Sequence, residues 1–236
     1  MSGPALRISR SHFPVTALGP GVRLGVWVQG CPLACKGCMA RDTWDPGAGT
    51  EVDVEVLTER WRRAIGRGAT GLTVSGGEPL EQPGPLRAFL EAADRVRRES
   101  TGEFDFLLFT GYELDELDEE QRRAADRADV LITGRYEAGQ PTKLVWRGSA
   151  NQRMIPQTDL GRRRYAEHED DRPENPALQV RVDGTGVWIV GVPDHGVLPR
   201  LDRAFRAGGL VAERVSWRPS GDAGSGAGAG ADAGEG

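Results

Sequence analysis

The chain has 236 residues, 38% hydrophobic and 28% charged, with a formal net charge of −5. That suits one globular core with a small appendage, and the strand-length apolar runs exclude a membrane-spanning helix. The acidic balance argues against nucleic acid as the main partner, because phosphate binding needs a basic field. Arg162-Arg163-Arg164 is a local exception, but it lies beside Glu167, Glu169, Asp170 and Asp171 and reads as a solvated mixed-charge loop.

In chain order, Met1 to Arg10 reads as a ragged terminus or edge element, and Thr16 to Gly21 as a Gly/Pro turn. A first strand follows over Val22 to Gln29, then a loop from Gly30 to Pro46. Val54, Leu57, Trp61 and Ile65 recur at helical spacing and predict a helix over Val54 to Arg67. Gly71 to Ser75 is a second strand, ended by Gly76-Gly77-Glu78-Pro79. A second helix starts behind Pro85, a third strand spans Phe104 to Phe109, a polar helix covers Leu114 to Arg127, and Val130 to Thr133 is a fourth strand. Strand–helix alternation at this rhythm predicts right-handed βαβ units and a parallel sheet, with ligands beyond the carboxyl ends of the strands.

Residues 156–177 read as a polar linker. Leu178 to Val182 and Val187 to Val192 read as strands flanking the turn Asp183-Gly184-Thr185-Gly186, followed by a helix over Leu198 to Ala207 and a strand over Leu210 to Val215. The predicted organisation is therefore a core over 1–155, the linker, a β-β-α-β appendage over 178–219, and a disordered Gly/Ala tail over 220–236.

The three cysteines of the chain, Cys31, Cys35 and Cys38, occupy eight residues at C-x3-C-x2-C spacing. An odd number of thiols in so short a loop, with no signal peptide read before it, is a metal site rather than a disulfide framework. Soft thiolates select zinc, copper(I) or iron–sulfur clusters. Three of them leave one coordination position open. Reduced thiols place the protein in the cytoplasm.

The cysteine loop resembles that of the radical S-adenosylmethionine (SAM) enzymes, and most closely the activating proteins of anaerobic ribonucleotide reductase. The likeness is carried by Gly19-Pro20-Gly21-Val22-Arg23, Gly30-Cys31, Cys35-Lys36-Gly37-Cys38, Thr43-Trp44 and Ser75-Gly76-Gly77-Glu78-Pro79-Leu80. It continues through Thr110-Gly111-Tyr112, Leu114-Asp115-Glu116-Leu117, Asp129-Val130-Leu131, Trp146-Arg147-Gly148-Ser149 and Asn151-Gln152.

The resemblance implies an open, shortened (β/α) barrel holding a [4Fe-4S] cluster on Cys31, Cys35 and Cys38. The fourth iron would chelate SAM. Gly37 lets backbone approach the cluster and cofactor closely, and Met39 stands where the family often has an aromatic residue on the adenine side. Ser75, Gly76, Gly77 and Glu78 are assigned to the methionine moiety of SAM. Thr110 is assigned to the ribose or substrate pocket, with a capped helix start as the alternative. The implied activity is reductive cleavage of SAM to a 5′-deoxyadenosyl radical that sets a glycyl radical on a partner enzyme. That is the chemistry of the formate C-acetyltransferase activating enzymes as well, and flavodoxin or ferredoxin is the implied electron donor.

Two rival readings stand beside it. One is a radical SAM enzyme acting on a small molecule or peptide, suggested by the appendage. The other is a structural zinc module. His12, His168 and His195 are scattered and read as surface or structural residues, while Arg147, Asn151 and Gln152 read as organisers of the rim or of a partner surface.

Overall fold

The computed structural model describes residues 3–183 and 186–209. Its centre is a seven-stranded sheet in the order β3-β1-β2-β4-β5-β6-β7. The strands are β1 (Ala5–Val15), β2 (Arg23–Val28), β3 (Thr50–Asp53), β4 (Gly71–Gly76), β5 (Asp105–Phe109), β6 (Val130–Thr133) and β7 (Arg153–Pro156). β2, β4, β5 and β6 run parallel, and β1, β3 and β7 flank them antiparallel. The expected α/β class and parallel centre are therefore present, in a mixed sheet.

The parallel centre follows from the connections. α1 (Val54–Gly66) precedes β4, α2 (Pro83–Glu99) joins β4 to β5, and α3 (Glu119–Ala125) joins β5 to β6. α1 turns Leu57, Trp61 and Ala64 inward, and α2 turns Leu86, Phe89, Leu90 and Ala93 inward. They meet Leu24, Val26, Val28, Leu72, Val74, Phe106 and Leu108 from one face of the sheet. Alternation along each strand sends the intervening residues to the other face.

That second face is covered by two later segments. α4 (Asp159–Tyr165) brings the fully buried Tyr165 against Leu107, Val130, Ile132 and Met154. A separate hairpin, β8 (Gln179–Asp183) and β9 (Gly186–Val190), brings Trp188 and Val190 against Val15, Leu18, Trp27 and Phe109. The Gln179 carboxamide oxygen accepts the Thr16 N–H at 2.7 Å and fixes the hairpin to the end of β1. α5 (Val197–Ala207) follows.

Several expectations are corrected. The amino-terminal stretch read as a ragged terminus or edge element belongs to β1, an interior strand bonded to both β2 and β3. The polar helix starts at Glu119, not Leu114, because Asp118 and Gln121 form a capping box at that point. The stretch read as a linker holds the end of β7 and α4, and the Arg162–Arg164 run is helical rather than a loop. Arg164 reaches the buried Asp105 at 3.0 Å. The last strand expected over Leu210 to Val215, the tail over 220–236, and Gly184 and Thr185 lie outside the described residues.

Beneath the second face lies a buried ion pair. Arg23 and Asp105, both fully buried, meet through two bonds of 3.1 and 2.6 Å. Arg23 also donates to Thr73 Oγ1 (2.6 Å), the Leu72 carbonyl (2.8 Å) and the Pro20 carbonyl (3.0 Å), and the Tyr165 hydroxyl donates to Asp105 at 2.7 Å. The network ties the starts of β2, β4 and β5 to α4.

Candidate functional site

The carboxyl ends of the four parallel strands share one edge of the sheet, and the cysteine loop leaves from the first of them. Its base is clamped: the Gly30 N–H donates to the Thr43 carbonyl (2.8 Å) and the Cys31 N–H to the Trp44 carbonyl (3.1 Å). The Gln29 carboxamide donates to the carbonyls of Asp42 (3.1 Å) and Asp45 (2.8 Å). These bonds close a loop in which Cys31, Cys35 and Cys38 are all unpaired and half-buried.

The thiols feel one another. Burial pushes Cys31 up, helped by the negative charges of Glu78 and Cys38 and opposed by the N–H groups of Leu33 and Ala34. Burial likewise pushes Cys38 up, opposed by the Ala40 N–H (3.4 Å from Sγ) and the Trp44 side chain, with Cys35 adding repulsion. Ionising all three thiols of one loop sets like charges against one another, a cost that a bound metal centre would offset. Among the described residues no three His, Cys, Asp or Glu side chains stand close enough to hold a single metal ion. A tetrahedral zinc at Zn–S distances of about 2.3 Å needs its thiolates within about 4 Å of each other. Three soft thiol donors in one loop, with a fourth position left open, suit a four-iron cluster, whose thiolate ligands stand further apart than those of a single zinc.

The Gly-Gly-Glu turn ends β4 directly against this loop. The Gly77 N–H donates to the Val28 carbonyl and the Glu78 N–H to the Gly30 carbonyl, both at 2.8 Å. Gly76 has φ +113°, and a β-carbon on Gly77 would fall 2.2 Å from the Gly30 carbonyl oxygen and 2.9 Å from that of Thr43. The glycines therefore let two main chains touch. Ser75, one residue earlier, lies in register with Trp27 on the second face.

Glu78 turns its side chain inward, 1% exposed. Its Oε1 accepts the Leu80 N–H (3.0 Å) and the Thr110 hydroxyl (2.8 Å), and its Oε2 accepts the Gly111 N–H (2.7 Å). Burial nevertheless raises its pKa to about 7, against the pull of those three donors. Glu78 and Thr110, assigned separately from sequence to a bound ligand, are thus each other's partner and join the ends of β4 and β5. Gly111 in turn lies under Leu33 of the cysteine loop, where a β-carbon would come within 2.3 Å of Leu33 Cδ1.

Gly37 has φ +82° and Met39 is half-buried beside Cys38. A cavity of about 380 Å³ opens beside Gly30, Cys31 and Trp44 toward β1 and β3, but none of Ser75, Gly76, Gly77 or Thr110 lines it. Sequence reasoning missed Gln29 and Gln82. The Gln82 carboxamide accepts the Arg7 N–H (2.8 Å) and donates to the Arg7 and Gln29 carbonyls (3.0 Å each), joining β1 to the base of the loop. No periodicity marks such a residue. Its one signal is an amide side chain just past a glycine-rich strand end. His12 and His168 pack against aromatic rings, His12 on Trp188 and His168 on Trp146.

A three-thiol loop pinned to the carboxyl rim of a parallel sheet defines an iron–sulfur cluster protein, and residues 17–155 match the model of the family described as 4Fe-4S single cluster domain. Three curated relatives carry the name anaerobic ribonucleoside-triphosphate reductase-activating protein. That of Haemophilus influenzae is 40% identical over 148 residues, covering 60% of this chain and 92% of its own. Those of Vibrio cholerae and Escherichia coli are 37% and 33% identical, again over 60% of this chain and 92% and 93% of their own. The chain belongs to the family of anaerobic ribonucleoside-triphosphate reductase-activating proteins. Among solved structures, QueE from Escherichia coli aligns with a TM-score of 0.38 at 16% identity, over 55% of this chain and 71% of its own, a likeness that carries no argument.

Proposed function

We propose that this protein is a radical SAM enzyme that generates a glycyl radical on a partner enzyme, an anaerobic ribonucleotide reductase first among the candidates. The observation that carries the proposal is the meeting of three unpaired thiols, the Gly76–Glu78 turn and the Thr110-Gly111 loop on one rim, in a member of this family. In this reading Cys31, Cys35 and Cys38 hold a [4Fe-4S] cluster, and the sheet is an open, shortened (β/α) barrel. When bound, the cluster and SAM supply reductive cleavage of the sulfonium to methionine and a 5′-deoxyadenosyl radical, the electron coming from a donor such as flavodoxin or ferredoxin.

The chain's own residues position and exclude. The N–H groups of Gly77 and Glu78 are spent on Val28 and Gly30, so the turn offers a ligand carbonyl oxygens, acceptors suited to the ammonium of SAM. Glu78 and Thr110 hold the rim rigid, and Leu33 over Gly111 keeps water from one side of the loop. The Ala40 N–H and the Trp44 side chain temper the charge on the Cys38 sulfur. Thiols kept reduced make a cytoplasmic location part of the same proposal.

The test is anaerobic reconstitution with iron and sulfide, reduction with dithionite, and assay of SAM cleavage. Wild type is expected to release 5′-deoxyadenosine and Cys35→Ser is not. Equal turnover by both would end the proposal. A second reading, a small-molecule or peptide substrate, is favoured by the β8–β9 hairpin packed on the second face of the sheet. Deuterium passing from a glycine-labelled partner into 5′-deoxyadenosine decides for the activase.

A further inference from the structure

The Ser149–Gln152 stretch of the Trp146–Gln152 motif has no part in the arrangement described so far, although every one of its residues takes part in a hydrogen bond. Arg147 bonds elsewhere, to the carbonyls of His168 and Glu169, but Ser149 to Gln152 reach one place, the loop 134–140 that leaves the carboxyl end of β6. The Gln152 carboxamide oxygen accepts the Gly148 N–H (2.7 Å) and the Ser149 N–H (3.3 Å), while its nitrogen donates to the Gly134 carbonyl (2.8 Å). The Asn151 amide donates to the Arg135 carbonyl (2.8 Å), and Ser149 Oγ accepts the Glu137 N–H (3.0 Å). The Ala150 N–H donates to the Gln140 carbonyl (2.8 Å).

The same loop is held from its other side. Arg135 grips both oxygens of Glu116 at 2.8 and 2.7 Å and lies over the Tyr112 ring, 5.7 Å from its centroid. Four motif bonds and the Arg135–Glu116 ion pair are a large investment in one loop, since each ordered side chain costs conformational entropy.

What the loop presents explains it. The half-buried ring of Tyr136 lies between two glycines. A β-carbon on Gly148, within the motif, would come 3.0 Å from Tyr136 Cδ2. A β-carbon on Gly37, between the second and third cysteines, would come 3.4 Å from Tyr136 Cε1 and 3.3 Å from Ala138 Cβ. The ring and the alanine are therefore seated on the cysteine loop itself.

We infer that Tyr136 is a shielding and positioning residue for the cluster site, pressed onto the cysteine loop by the Ser149–Gln152 staple. This rests on the cluster occupying Cys31, Cys35 and Cys38. The apolar shell around a metal site controls solvent access to it. Tyr136 needs its ring for this role and not its hydroxyl, which separates shielding from hydrogen bonding.

Two measurements test it. In the first, reconstituted wild type, Tyr136→Ala, Tyr136→Phe and Gln152→Ala are exposed anaerobically to a chromophoric ferrous chelator, and iron release is timed. Tyr136→Ala is expected to lose iron several-fold faster, Gln152→Ala to move the same way, and Tyr136→Phe to match wild type. Wild-type retention by Tyr136→Ala overturns the inference, and so does loss by Tyr136→Phe equal to that of the alanine variant. A wild type that takes up no cluster instead refutes the functional reading beneath it.

The second measurement needs no metal. Amide hydrogen exchange across residues 31–38 of iron-free full-length protein is expected to speed up in Gln152→Ala while the amides of β4 and β5 keep their protection. Unchanged exchange in 31–38 overturns the coupling between staple and cysteine loop even where a cluster binds.

Discussion

Replacing Arg23 by methionine keeps most of the side-chain volume and removes the charge. Asp105 is then left fully buried, with the Tyr165 hydroxyl at 2.7 Å and the partly exposed Arg164 at 3.0 Å as its remaining partners. Breaking a buried pair by removing one partner costs about 3–5 kcal/mol, and Arg164 moves the value toward the lower end. Thr73 Oγ1 and the carbonyls of Leu72 and Pro20 each lose a donor, at about 1 kcal/mol apiece where water does not reach them. The sum is about 6 kcal/mol, which lowers Tm by roughly 12–24 °C for a chain of this size. Urea unfolding of the iron-free protein, followed by circular dichroism under reducing conditions, reads the difference. The double variant Arg23→Met/Asp105→Asn is expected to lose clearly less than the two single losses added together, because neither buried charge then lacks its partner. A single-variant loss under about 1 kcal/mol, or strict additivity in the cycle, would refute the reasoning.

Glu78 predicts a pH dependence. Its pKa is raised in the folded protein to about 7, so between its unfolded value and that pH the folded chain binds the extra proton. The stability is complete below the unfolded pKa and is lost as pH rises through about 7, by about 3 kcal/mol. Unfolding free energies of iron-free protein from pH 5 to 8 are expected to slope downward in wild type and to lose that component in Glu78→Gln. Gly77→Ala places a β-carbon on the Gly30 carbonyl and is expected to shift the cysteine loop, so that reconstituted iron per chain falls by more than half while far-UV circular dichroism is unchanged. Chelating the iron from reconstituted wild type is expected to abolish SAM cleavage and visible absorbance and leave secondary structure in place, because the loop base is clamped by Thr43, Trp44 and Gln29 without metal.

What was legible in the sequence was whatever buried itself with a period. α1, α2 and the strands β2, β4, β5 and β6 have apolar faces that announce their geometry, and the three thiols announced themselves by count and spacing. β1 was illegible because only Leu6, Ile8 and Val15 of its eleven residues are fully buried, with Arg7, Ser9 and Arg10 between them. α4 was illegible because it is seven residues long and mostly charged, with Tyr165 its one large apolar anchor. Gly161 within it sits where a β-carbon would meet the Asp129 carbonyl at 2.3 Å. Charge alone suggested solvent there, and the buried Tyr165 decided otherwise. At the site the glycine positions were readable, but the inward turn of Glu78 toward Thr110 joins residues 32 apart in sequence, and local pattern does not report such a pairing.

The β8–β9 hairpin has a consequence for anyone shortening this chain. Its relatives are matched almost end to end by 148 residues, which invites trimming to that length. Yet Trp188 packs edge-on against Trp27 at 6.0 Å and His12 at 5.0 Å, and Val190 is 1% exposed among Val15, Ala17 and Leu18. A trimmed protein would turn that greasy underside toward solvent and clump, unless Trp27 and Phe109 were made polar in the same step.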